Sequence, residues 1–337
     1  MSLNHELIKN LLCELGEAVC RKVHQSLRQS SVEALSAVYK EGEDDTIYQI
    51  DRDVEEILIP RLSAFAPQLG GIVLIMEGVN EMVLPEEMPL DQAQNRLIID
   101  PIDGTRGIMY DKRSAFFLAG AAPNKGPETC LQDIEVAVMT ELPTSRSFLS
   151  DTLWAIKNQG AHAFTRDLKT NEIVSRHISP SKAKTIVGGF SQIARFFPPG
   201  RALLAQLDDE LIQILAPDMP AGKAILFEDQ YISSGGQLYE MLMGHDRFIA
   251  DLRPLLFNRL AREGKTIGLV CHPYDVAAHL IGSEAGIIIT NELGKPLNPK
   301  LDVTSPVGFM LFANEHIQHQ VQSVLRELLI KHDLLTS

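Results

Sequence analysis

Asp100-Pro101-Ile102-Asp103-Gly104-Thr105, set in residues 95–107 (NRLIIDPIDGTRG), is the stretch on which the reading of the whole chain turns. The apolar run Leu97 to Ile99 in front of it predicts a buried strand ending in a carboxylate. Pro101 fixes φ and removes a ladder donor, Asp103 returns a second carboxylate to the same side, and Gly104 permits close backbone approach. Two hard oxygen donors therefore converge. A helix starting at Gly104 or Thr105 would aim N–H groups at an anion held beside them, which suits a metal and phosphate site. D-P-x-D-G-T would arise by chance in a chain of this length on the order of a few times in ten thousand. The same residues also suit an Asx-turn in which Asp103 or Thr105 caps a helix.

Further carboxylates bear on that choice. A second apolar run, Ile72 to Met76, predicts another buried strand, with Glu77 at its end. Asp45 and Asp51 belong to an acidic, turn-rich stretch upstream, and Asp275 opens a helix after Pro273-Tyr274. Each alone reads as a solvated charge or a cap. Gathered at strand and helix ends they are what a site for two or three Mg²⁺ ions requires, because carboxylates clustered without cations repel.

Helical spacing runs from Leu7 to Leu27 and again from Val54 to Phe65, where Pro60 is expected to kink or interrupt the helix. Lys40 to Ile50 suits a loop or hairpin. Ala115 to Phe164 reads as an antiparallel meander. Beyond it, strands expected near Ile186-Val187, Ala224 to Phe227, Arg247 to Ala250 and Thr266 to Val270 alternate with helices at Leu203 to Leu215, Gly236 to Met243, Pro254 to Ala261 and Asp275 to Ala285. The expectation is an α/β (α+β) chain with an antiparallel-sheet lobe over 1–180 carrying the metal and phosphate site, and an α/β lobe over 181–337 carrying Asp275 and the substrate residues.

The chain has 337 residues, with 31 Lys and Arg against 44 Asp and Glu, for a net charge of −13. That balance argues against nucleic acid as the partner, since its affinity comes largely from Lys and Arg. It also requires bound cations to receive any phosphorylated metabolite. No apolar run reaches the ~18 residues of a membrane span and no secretory signal pattern is seen, so a cytoplasmic location is expected. The four cysteines show no metal spacing and are expected to be reduced thiols.

Taken together, DTIYQIDRDVEE with Asp51, IVLIMEG with Glu77, DPIDGT, HPYDVAAHLIGSEAG with Asp275, and NELGKPLN with LFANEHIQHQV resemble the inositol monophosphatase superfamily. These are the lithium-sensitive, Mg²⁺-dependent phosphatases that include bisphosphate nucleotidases and fructose bisphosphatases. Lys40 and Asp45 stand at upstream positions the family often keeps. The resemblance implies a layered α-β-α-β-α fold, a homodimer by the family's habit, and a phosphoric monoester hydrolase. By the same resemblance, Glu77, Asp100 and the Ile102 carbonyl hold one Mg²⁺, while Asp100, Asp103 and Asp275 hold a second. Asp51 accepts a hydrogen bond from Thr105, which orients the attacking water, and the Gly104 and Thr105 amides cradle the phosphate. Glu77 thus counts both as ligand and as catalytic residue.

Some positions depart from the family pattern. Glu77 is followed by Gly78 instead of a second glutamate, unless Glu81 reaches in; Tyr274 replaces Trp; Gly286-Ile287 replaces Gly-Gly. Gly268 stands seven residues before Asp275, where inositol phosphatases have a glutamate that reads ring hydroxyls. For the substrate, Arg106, Ser234 and Gly235 are the candidate contacts, with Lys112 and Arg113 as possible grips on a second phosphate. Trp154 and the Phe116-Phe117 and Phe196-Phe197 pairs read as core, and His272 as structural. The function expected is Mg²⁺-dependent hydrolysis of a small phosphorylated metabolite (an inositol, sugar or nucleotide phosphate) by in-line attack of water. The alternative is a catalytically weak relative that binds metal and a phosphometabolite as a sensor or scaffold.

Overall fold

A computed structural model describes residues 3–41, 46–218, 220 and 222–336. Asp45 and the side chain of Lys40 lie outside the described residues. Helix α1 (His5–Gln29) is started by Asn4, whose side chain accepts the Leu7 amide, and the turn α2 (Val32–Leu35) follows it. Strands β1 (Val38–Glu41) and β2 (Thr46–Tyr48) pair as the expected hairpin and lead into α3 (Gln49–Phe65). Pro60 does not interrupt α3, which runs through it.

The large sheet is built from β3 (Ile72–Met76), β4 (Val79–Leu84), β5 (Asn95–Asp103), β6 (Ala115–Pro123), β7 (Val136–Leu142), β8 (Leu149–Ile156), β9 (Ala161–Asp167) and β10 (Ile173–Arg176). Its order is β10-β9-β8-β7-β6-β5-β3-β4. From β5 to β10 it is an antiparallel meander, and only β3 against β5 is parallel. The short helix α4 (Thr105–Met109) leaves the end of β5.

The second sheet has four strands in the order β11-β12-β14-β13, from β11 (Phe190–Ile193), β12 (Asp246–Asp251), β13 (Ile288–Asn291) and β14 (Phe309–Phe312). Helices α5 (Arg201–Leu215), α6 (Ser234–Leu242), α7 (Arg253–Arg262), α8 (His279–Glu284) and α9 (Glu315–Lys331) accompany it. Two expected strands are absent: Ile186-Val187 and Thr266 to Val270 are irregular, and Ala224 to Phe227 contributes a single bridge, Phe227 to Phe190. The apolar patches there are short and lack the alternation that pairs a strand. Asp275 sits in the 3-10 turn Pro273–Val276, and the helix proper starts only at His279.

Alternation along the strands splits the interior into three cores and so fixes the layers. Leu97 and Ile99 of β5 join Phe117 and Val138 under the stripe of α1 (Ile8, Leu12, Leu15) and α3 (Leu58, Leu62). Ile98, with Phe116 and Leu118, faces the other way, onto Leu238 and Met241 of α6, Ile281 of α8, and Ile249 and Leu311 of the small sheet. Phe248 and Phe312 on the far face of that sheet pack against α5, α7 and α9. The result is the expected α-β-α-β-α stack. Among the described residues, no helix is long and apolar enough to cross a membrane.

Candidate active site

In a regular strand, residues three apart point to opposite faces. Asp100 pairs with Leu118 and Asp103 with Phe116, so three steps on β5 oppose two on β6, and the ladder shifts between them. This irregularity, entered through Pro101, turns both carboxylates toward the same cleft. Asp275 joins them: Asp100, Asp103 and Asp275 each offer an oxygen within 4.8 Å of the others. Glu77 follows β3, the parallel neighbour of β5, and borders the same cleft.

Backbone amides hold the three clustered carboxylates. Asp100 accepts the Ile102 amide at 3.1 Å, and Asp275 accepts the His272 amide at 2.6 Å. Asp103 accepts the amides of Ser234 (3.3 Å) and Gly235 (2.5 Å) from the first turn of α6. Gly235 makes that approach possible: a Cβ there would lie 2.6 Å from Asp103 Oδ2. Gly104, at φ 101, begins α4 in a backbone conformation that side chains other than glycine disfavour. Thr105 Oγ1 lies 3.1 Å from Asp51 Oδ1 and 2.8 Å from the Ile102 carbonyl. Asp51, in the first turn of α3, is oriented by the Tyr48 amide on its other oxygen at 2.9 Å.

Crowding shows in the acidities. Burial first, then Glu77, Asp103 and Asp275, hold Asp100 well above the usual carboxylate range. Burial pushes Asp103 up to about 6, against the pull of Ser233, the α6 amides and Arg253. Burial likewise raises Asp208 to about 6 despite Arg195, and raises Asp246, with Glu240 and Asp229 adding to it, to about 7. A carboxyl whose folded pKa exceeds its unfolded value of about 3.9 takes up protons on folding. The stabilisation is complete below about pH 4 and is lost as pH rises through about 6 for Asp103 and Asp208 and about 7 for Asp246. Calorimetry in chelator is therefore expected to show a midpoint roughly 3–8 °C lower at pH 8 than at pH 5. A midpoint that rises over this interval would contradict the buried, cation-free charges.

Asp51, Glu77, Asp100, Ile102, Asp103, Gly104, Thr105, Arg106, Ser234 and Asp275, all picked from the sequence, line one cleft. Gly235 stands behind Asp103; the Ser234 and Gly235 amides support that carboxylate, and the Ser234 hydroxyl is bonded to Cys271 Sγ at 2.9 Å. Glu81 does not reach in; it pairs with buried Arg96. Arg113 pairs with Asp229 and lies over Tyr231, away from the cleft. His272 stacks on Tyr274, its Nδ1 3.1 Å from the phenol oxygen.

Arg253, Phe196 and Phe197 are among the cleft residues that escaped sequence reasoning. Arg253 opens α7 beside Asp251, with Nε 2.9 Å and Nη2 2.6 Å from its carboxylate, and reaches the Leu269 carbonyl and Cys271 Sγ at 3.0 Å. Phe196 and Phe197, expected in the core, are half-buried at the cleft wall. An Arg-Pro helix start and an aromatic pair are common in any fold, so neither carried a signal.

No protein-family model and no curated protein matches the sequence. Solved structures do match in shape. The extragenic suppressor protein SuhB of Bartonella henselae superposes with a TM-score of 0.66 at 17% identity, over 95% of this chain and 99% of that one. Leishmania major fructose-1,6-bisphosphatase gives 0.67 at 14%, over 97% and 99%. Thermotoga maritima IMPase gives 0.61 at 16%, over 98% and 99%. With these end-to-end superpositions and the five-layer stack, the chain has the fold of the inositol monophosphatase superfamily.

Proposed function

We propose that the protein is a Mg²⁺-dependent phosphomonoesterase that hydrolyses a small phosphorylated metabolite by direct attack of water. The observation that carries this reading is the Thr105 hydroxyl, set between Asp51 Oδ1 and the Ile102 carbonyl at the rim of the Asp100, Asp103 and Asp275 cluster. A module that only binds has no use for a hydroxyl backed by a carboxylate. The cluster fits divalent cations: its donors are hard oxygens, they lie within 4.8 Å, and burial with mutual repulsion holds Asp100 above the usual carboxylate range, a cost that a bound cation would relieve. Glu77, Asp100 and the Ile102 carbonyl would hold one ion, and Asp100, Asp103 and Asp275 another. When bound, such ions neutralise the carboxylates, draw in phosphate oxygens and make a water easier to deprotonate.

The chain's own groups do the rest. Thr105 Oγ1 takes the proton of the attacking water as it passes its own to Asp51, which the Tyr48 amide keeps in line. The Gly104 and Thr105 backbone at the start of α4 receives the phosphate. A new P–O bond to water forms as the ester P–O bond breaks, with no covalent enzyme intermediate.

The test is phosphate release from inositol phosphates, sugar mono- and bisphosphates and nucleotides, in Mg²⁺ and in chelator. Thr105→Val is expected to lower kcat by about 10²-fold or more while calorimetric Mg²⁺ binding is retained. The lone Glu77, followed by Gly78 and unaided by Glu81, is the observation that favours a binding protein instead. Silence across the panel from a protein that binds Mg²⁺ would establish that second reading.

A further inference from the structure

Beside α6, a cavity of about 350 Å³ opens between Phe190, Asp229, Tyr231, Glu240, His245 and Asp246. It shares no lining residue with the cleft. The chain brings three acids to it from separate places. Asp246 begins β12 and pairs with Phe190 at the start of β11, Glu240 lies in the last turn of α6, and Asp229 precedes that helix. Their exposure is graded: Asp246 is 4% exposed, Glu240 is half-buried and Asp229 is exposed.

Two of the three acids have partners. Asp229 takes the guanidinium of Arg113, and Glu240 takes His245 Nδ1 at 2.5 Å. Asp246, the most buried, forms no ion pair among the described residues. The group turned toward it is the amide of Gln192, 1% exposed, and neither atom of that amide completes a hydrogen bond. Polar groups buried this deeply ordinarily have partners. Here a carboxylate and an amide lack them at the wall of an open cavity. Burial, then Glu240 and Asp229, hold the Asp246 acid up at about 7, as befits a charge without a counter-ion.

We propose that this cavity binds an aliphatic diamine, with one primary ammonium on Asp246 and the second toward Glu240 and Asp229. Three features select that chemistry. Among the described residues only Asp100, Asp103 and Asp275 bring three donors within 4.8 Å, so the acids of this cavity stand too far apart to close on a metal ion. A primary ammonium carries three N–H donors and can serve a carboxylate and an amide oxygen at once, whereas a quaternary nitrogen carries none. The exposed ring of Phe190, backed by Phe227 with centroids 5.4 Å apart, offers an apolar wall to the methylene chain. The fit does not call on Tyr231, which Arg113 covers at 4.9 Å.

The experiment is titration calorimetry of 1,4-diaminobutane into the whole protein at constant ionic strength, in excess Mg²⁺ so that the Asp100 cluster is not the site measured. The wild-type protein is expected to bind the diamine, to bind n-butylamine about two- to fivefold more weakly, and to give no heat with tetramethylammonium. Asp246→Asn keeps the shape of the side chain and removes its charge, and is expected to weaken diamine binding at least about tenfold. Glu240→Gln, nearer the surface, should weaken it about two- to fivefold. Thermal unfolding checks that each variant is folded; should Asp246→Asn fail to fold, Glu240→Gln and the amine series decide. Equal affinity in Asp246→Asn, tetramethylammonium binding as tightly as the diamine, or no heat from the wild-type protein overturns the assignment. Binding that Asp103→Asn abolishes and Asp246→Asn leaves intact would put the amine in the acidic cleft, and overturns it as well.

Discussion

Asp103→Asn is expected to lower Mg²⁺-dependent phosphate release by at least about 10³-fold, a loss of about 4 kcal/mol of transition-state stabilisation. Two effects combine. The substitution removes one of the three carboxylates whose oxygens gather within 4.8 Å, so a cation placed there would lose one of its anionic donors. It also replaces one acceptor with a donor at a residue whose two oxygens both accept α6 amides, from Ser234 and Gly235. Whichever way the new amide turns, one N–H faces another N–H. The side chain must then rotate or α6 must withdraw, and either displaces the remaining oxygen. The check is turnover alongside circular dichroism and a Mg²⁺ titration. Turnover within tenfold of wild type would remove Asp103 from the cation site.

The second large effect concerns stability. Arg253 and Asp251 are 4% and 0% exposed and share three contacts of 3.0 Å or less. Burial works against the Arg253 charge, but Asp251 outweighs it and holds the guanidinium protonated. Removing one partner of such a pair strands the other charge in the interior. Arg253→Ala is therefore expected to destabilise the metal-free protein by about 3–5 kcal/mol in urea unfolding. Adding Asp251→Asn should recover about half of that, because the orphaned charge is then gone. A single-variant loss under about 1 kcal/mol would mean that the pair is solvated and interchangeable with a surface ion pair.

The sequence disclosed the site where its geometry is local. Asp100 through Thr105 is one strand end and one turn, and proline, glycine and carboxylates at fixed offsets dictate its shape whatever surrounds it. Glu77 was legible for the same reason, as the residue after a five-residue apolar strand, and the alternation of Leu97, Ile98 and Ile99 announced two buried faces. What escaped depends on contacts made across the fold. Arg253 becomes a cleft residue only because it turns back onto Asp251 and toward Cys271, eighteen residues on. Phe196 and Phe197 carry the composition of a core and differ from Phe116 and Phe117 only in where their loop is laid. Glu81 offered a carboxylate at a plausible distance in sequence, but β4 is the edge of the sheet and its partner there is Arg96. The small sheet was hardest to see. Its strands β13 and β14 are four residues each and pair across a long irregular stretch, which leaves little periodicity to read.

The site draws Asp51 from an outer helix, Asp100 and Asp103 from the large sheet, the supporting amides from a middle helix, and Asp275 from a turn beside it. In the unfolded chain these groups are scattered, so the metal ion proposed above would bind tightly only to the assembled stack. It would act as a rivet through neighbouring layers rather than as a local clasp. A chelator would then behave as a mild denaturant of the whole molecule, and a fragment containing only one of the two sheets would bind metal more weakly than the intact chain.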